Sequence, residues 1–231
     1  MSINSLKAII EVQFKPSLKF YGKQYEIGNT LWETVYKDWR TDGLRTTFYN
    51  PDSNELCLTE YRRLLVINES IKEAKSGNFP VKNFLTAYEA YINALSPQKI
   101  LRTGFRVMAT YDNGMSFEEL TSIMKPKFYP ETDKLKKLTS AKFKDVALSI
   151  LYGDGKKEIR LQTGPVNKNE LLARTQFQIN KNPESLGESS LFIDIDVSST
   201  EIKLEKINSF VSETGPFIEK KLKDLVEYIF Y

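Results

Sequence analysis

"LFIDIDVSS", residues 191–199, sets two aspartates inside an apolar run, and its period decides how the chain folds. Leu191, Ile193, Ile195 and Val197 share one side of an extended strand, while Phe192, Asp194 and Asp196 share the other. That is the pattern of an antiparallel sheet, oily where helices cover it and polar on its reverse. The alternation therefore places both carboxylates in water. A D-x-D pair on a strand can instead hold a divalent metal, as in nucleases and phosphotransferases, with Glu158 or Glu188 as a third acid. Nothing in the spacing brings those acids together. Cross-strand pairing of Asp194 and Asp196 with Arg102, Arg106, Arg160 or Arg174 is the reading adopted. A polar partner-binding face of Arg102, Arg106, Asp194 and Asp196 is its functional alternative.

Working outward, "DVALSILYG" and "KKEIRLQTG" flank Gly153-Asp154-Gly155-Lys156, a hairpin signal, and "LLARTQFQIN" reads as a further strand. Short connections make these neighbours an antiparallel meander. Beyond it, Ser198 and Glu201 read as a capping box for a helix with Leu204, Ile207 and Val211 on one face. Gly215-Pro216 breaks or kinks that helix. A last one carries Ile218, Leu222, Leu225, Val226 and Ile229 inward, with Lys220, Lys221, Lys223, Asp224 and Glu227 outside. Upstream, "ILRTGFRVMATY" alternates from Leu101 through Phe105, Val107 and Tyr111, with Arg102, Arg106 and Thr110 opposite. "SFEEL" opens a short helix with a capping box, Ser116 to Glu119, closed by Lys125-Pro126.

The first part of the chain is shorter. "LKAIIEVQF" (6–14) is a strand, and a helix follows Asn29 with Leu31, Val35 and Trp39 on its face. "LRTTFYN" and "ELCLTEYRRLLVIN" form a hairpin about residues 50–54. A helix starting near Pro80 carries Val81, Leu85, Tyr88, Ile92 and Leu95 and stops at Ser96-Pro97. The fold class is α+β: an antiparallel meander covered on one face by C-terminal helices, residues 98–231, preceded by a smaller α+β half, residues 1–97.

Composition removes whole classes of function. The 231 residues contain no histidine, which excludes Ser-His-Asp and Cys-His catalysis and every His-containing metal site. The single cysteine, Cys57, cannot form an intrachain disulfide, fits a reducing compartment and reads as a small buried thiol. A net charge of +3 does not by itself imply nucleic acid. Lys134, Lys136, Lys137, Lys142 and Lys144, interleaved with Phe128, Tyr129 and Phe143, could grip single strands, but Glu131, Asp133 and Asp145 dilute them. Gly153-Asp154-Gly155 lacks the features of a phosphate loop. No apolar run reaches the ~20 residues that span a bilayer, and the start is no signal peptide, so the expectation is a cytoplasmic protein that does not meet membrane.

"AIIEVQFKP", "LLVIN" before a helix, "LRTGFRVMA" and the meander with its helical tail together resemble a sporadically distributed, uncharacterised bacterial family. The C-terminal half of that family is laid out like the SecB secretion chaperone. The chain departs from it at "VMATY", where an aromatic-asparagine pair is more usual. The resemblance implies an α+β fold and a binding role, as a chaperone-like, antitoxin-like or phage-defence (antiviral) accessory protein, and it transfers no catalytic residue. The expectation is a non-enzymatic protein without cofactor, acting through a protein partner and as a homo-oligomer. The alternatives are a nucleic-acid binder or Asp-dependent metal nuclease, and a binder of small apolar ligands in a sheet–helix pocket.

Overall fold

The computed structural model describes residues 2–131, 134, 137, 144–179, 186–200 and 202–231. One antiparallel sheet of ten strands organises them: β1 (Ile3–Phe14), β2 (Asp38–Thr41), β3 (Arg45–Asn50), β4 (Glu55–Glu60), β5 (Arg63–Asn68), β6 (Lys72–Glu73), β7 (Ile100–Tyr111), β8 (Leu148–Gly153), β9 (Lys157–Asn167) and β10 (Ser189–Ser199). Their order across the sheet is β2-β3-β4-β5-β1-β7-β10-β9-β8, with β6 also paired to β1. The helices are α1 (Lys19–Thr34), α2 (Val81–Leu95), α3 (Phe117–Phe128), α4 (Lys168–Thr175) and α5 (Ile207–Phe230). The chain is α+β, and the meander β8-β9-β10 returns to lie beside β7. Residues 97 and 98 fall between α2 and β7, yet β1 and β7 pair along almost their full lengths, from Ile3↔Tyr111 to Phe14↔Ile100.

The covered face follows from strand alternation. Ile10 and Val12 of β1, Phe105 and Val107 of β7, and Ile193 and Val197 of β10 are buried on one side. They meet Phe20, Ile27 and Leu31 of α1, Phe84 and Tyr91 of α2, Met124 of α3, and Val211, Ile218, Leu222 and Val226 of α5. Helices from both ends of the chain thus share one core, so the cover is wider than the C-terminal helices. Phe14 stacks on Tyr91, with ring centroids 4.9 Å apart. The reverse face is not uniformly polar. Leu6, Met108, Val166, Leu171 and Phe192 bury a second cluster under α4.

Several boundaries differ from the sequence expectations. The helix expected after Asn29 starts eleven residues earlier, at Lys19, and Trp39 belongs to β2. Residues 55–68 form two strands rather than one, turning at Tyr61-Arg62. "LLART" is helical, with Asn167 Oδ1 accepting from Glu170 N at 2.9 Å as its cap. Pro126 and Pro216 sit inside α3 and α5 and end neither. Ser198 belongs to β10 and caps no helix; Glu201 lies outside the described residues. Leu101, expected on the oily side, is exposed. The Ser116–Glu119 capping box is formed, and the 153–156 turn joins β8 to β9.

Candidate functional site

Strand register brings the singled-out arginines and aspartates into one lattice on the reverse face. Asp196 stands opposite Arg106 on β7 and Arg160 on β9, while Asp194 stands between Met108 and Gln162. Arg106 Nε donates to Asp194 Oδ1 at 2.9 Å and Arg106 Nη2 to Asp194 Oδ2 at 2.6 Å, a two-point bond. Arg102 reaches back over Gly104, whose absent side chain leaves the space, and lies 3.5 Å from both Glu11 Oε2 and Asp196 Oδ2. Arg63 continues the lattice, 2.8 Å from Glu60 and 3.7 Å from Glu11.

Both aspartates face the reverse side, but the expectation that they sit in water is corrected for Asp194. It is only 4% exposed, beside the Met108–Phe192 cluster and under the Arg106 guanidinium. Asp196 remains partly open. Burial pushes its carboxyl above the usual range, more than Arg102 and Arg106 lower it. The sequence reading missed Glu11 and Gly104, because only sheet order shows that β1 lies beside β7; Arg63, read with Arg62 as an anion binder or a partner of carboxylates, pairs with carboxylates. Both oxygens of Asp194 are engaged by Arg106, and among the described residues no three His, Cys, Asp or Glu side chains gather as metal ligands would.

The basic segment is spread out where it is described. Lys134 pairs with Glu131 at 2.6 Å, Lys137 and Lys144 are exposed, and Lys136 and Lys142 lie outside the described residues. Lys127 Nζ donates to Tyr228 O at 2.6 Å. Cys57 is fully buried, and burial raises its thiol far above the ordinary value.

A different place has the geometry of a binding site. Between the β8-β9-β10 strands and α5 lies a groove of about 320 Å³, lined by Tyr152, Ile159, Leu161, Ile195, Phe217, Leu225 and Tyr228, with Lys221 and Asp224 at its edge. Ile150 stands opposite Leu161 and Tyr152 opposite Ile159, so the two share one side of β8, and Tyr152 is the β8 residue that lines the groove. Its chemistry is apolar, with a lysine–aspartate pair at 2.9 Å along the rim. Leu151 and Tyr152 are 57% and 54% exposed.

β8 is also the outer strand of the sheet; among the described residues it pairs with β9 alone. An unpaired strand edge is a template for another strand, and proteins usually guard it with charge or brevity. The opposite edge, β2, is guarded: it has four residues, and Asp38 and Arg40 are exposed. β8 is six residues of "LSILYG" without a charge. The signal was present in the sequence as alternation at 148–152, but the hairpin reading could not say which strand would end the sheet.

No protein-family model matches the chain, and no curated protein is similar to it.

Proposed function

We propose that the protein is a non-enzymatic binding protein that holds an extended apolar segment of a partner protein along β8, with alternate side chains of that segment entering the groove beside α5. What carries the reading is the coincidence of an uncharged sheet edge with an apolar groove lined by Tyr152 of that same strand and by residues of β9, β10 and α5. Main-chain bonds to the β8 edge would supply affinity and the groove would select residues at every second position, the logic of strand addition. The function is chaperone-like in that sense, which agrees with the layout the sequence resembles. A small apolar ligand is the second reading, because the groove volume falls in the range of ligand sites. The outer edge of β8, which pairs with no strand among the described residues, favours a polypeptide.

Fluorescence polarisation tests this with labelled octapeptides of alternating apolar and polar residues against scrambled peptides of the same composition. The alternating set is expected to bind at least tenfold more tightly, to slow amide exchange at residues 148–153, and to lose binding in Tyr152→Lys. Equal affinity for scrambled peptides, or full binding by Tyr152→Lys, refutes it.

A further inference from the structure

The groove beside α5 is apolar along its floor and cationic at both ends. Lys157 Nζ lies over the Phe217 ring, 5.5 Å from its centre, and Lys221 Nζ is 5.9 Å from the same ring. Lys127 Nζ lies over the Tyr228 ring at 5.7 Å. Phe217 and Tyr228 both line the groove, and they stand about 16 Å apart along α5 at the helical rise. An aromatic face attracts an ammonium group without neutralising it, so each ring holds a charge at the rim.

The strand edge has the same two ends. Lys157 opens β9 straight after the turn that closes β8. At the other end Tyr129 Oη donates to Ala147 O at 2.6 Å, which ties the residue after α3 to the residue before β8. Lys127 belongs to the last turn of that helix. The strand spans about 20 Å when extended, so one cation stands near each end of its outer edge. Little of this charge is used inside the chain. Among the described residues neither Lys127 nor Lys157 forms an ion pair, and the bond that Lys127 makes is to a neutral carbonyl, Tyr228 O, at 2.6 Å. Lys221 is bonded to Asp224, the one acid among the described residues that line the groove.

We infer, on the reading that a partner segment adds to β8, that this segment carries a carboxylate on each side of its apolar run, one meeting Lys157 and the other Lys127. Strand geometry allows it. Acids at positions one and seven of an added strand share a face with apolar residues at three and five and stand about 20 Å apart, so the face that enters the groove also reaches both lysines. Charges placed this way fix the register of the segment and reject basic competitors more than they add affinity. A fatty acid has a single carboxylate and satisfies one end only; two cations about 16 Å apart suit a segment that bears two acids.

Fluorescence polarisation tests this with three octapeptides that share apolar residues at positions three and five and carry Glu, Gln or Lys at both one and seven. The Glu peptide is expected to bind at least tenfold more tightly than the Lys peptide, with Gln between them, and the gap should close at ~0.5 M salt. In the double variant Lys127→Glu, Lys157→Glu the order should reverse. Lys157→Glu alone leaves the Lys127–Tyr228 bond intact and should narrow the gap at least threefold, with an unchanged circular dichroism spectrum. Equal affinity for the Glu and Lys peptides while the Gln peptide binds, or an order that neither variant alters, overturns this inference and leaves strand addition standing. No binding by any of the three refutes strand addition as well. Tighter binding of dodecanoate than of the Glu peptide overturns the choice of a polypeptide.

Discussion

Arg106 grips Asp194 through both carboxylate oxygens, with one partner near the surface and the other almost fully enclosed. That asymmetry makes the two truncations unequal. Arg106→Ala strands a buried carboxylate and is expected to lower stability by about 3–5 kcal/mol. Asp194→Ala leaves an arginine that can turn to water, and should lower it by roughly 1–2 kcal/mol. Urea unfolding of both variants measures the difference, and equal losses would contradict the burial difference.

A second buried pair fastens α4 to the reverse face. Lys7 and Glu69 lie 3.0 Å apart. Lys7 Nζ also donates to Thr175 O and Gln176 O at 3.2 and 3.0 Å, while Glu69 accepts from Gln178 N and Ile179 N. Lys7→Met is expected to cost about 3–5 kcal/mol. Hydrogen exchange should show residues 168–179 losing protection before the sheet does. In a cycle with Glu69→Gln the two losses should fall short of additive by about 0.5–3 kcal/mol.

Two carboxylates give stability opposite slopes with pH. Glu219 accepts from Lys223 Nζ at 2.7 Å and from Ser76 N at 2.8 Å, and these hold its pKa down at about 2. Its contribution is therefore complete above the ordinary carboxylate value and is lost as pH falls from about 4.5 towards 2. Glu55 is enclosed, and burial raises its pKa despite bonds from Asn83, Tyr36 and Asn68. Its contribution is complete at low pH and declines as pH rises through the raised value. Glu219→Gln should flatten the acid limb of a stability–pH curve, and Glu55→Gln the decline above pH 4.5.

Gly104 gives Arg102 its path to two strands at once. In Gly104→Leu the new side chain meets the guanidinium, which lies 3.2 Å from the position a β-carbon would take. The links to Glu11 and Asp196 should open. Since these groups are partly exposed, the loss should stay near 1 kcal/mol. A loss several times larger would mean that the lattice is a unit rather than a set of weak pairs.

Cys57 should be inert in the native protein. Its thiol has no exposed surface and is held in the neutral form by burial. A thiol reagent such as Ellman's is expected to label it only after unfolding, and rapid native labelling would contradict the packing around β4.

Local physics was legible in the sequence. The two-residue period of 191–197 and 103–111 gave the correct sides of β10 and β7, because a pleat puts alternate side chains on opposite faces whatever lies nearby. The Ser116–Glu119 cap and the 153–156 turn are likewise settled within four residues. Where local and distant forces disagreed, distant ones won. Glycines at 22 and 28 hid the start of α1, and prolines at 126 and 216 suggested ends that packing in the shared core overrides. Sheet order was beyond reach for the same reason: pairing of β1 with β7 joins residues some ninety positions apart. That order buried Asp194, brought Glu11 to Arg102, left β8 as an outer edge of the sheet and set α5 beside it to form the groove. The sequence by itself determined which side each strand residue faces, since that depends only on the geometry of neighbouring peptides. The tertiary structure alone decided which of those faces is covered, because cover is supplied by elements far along the chain.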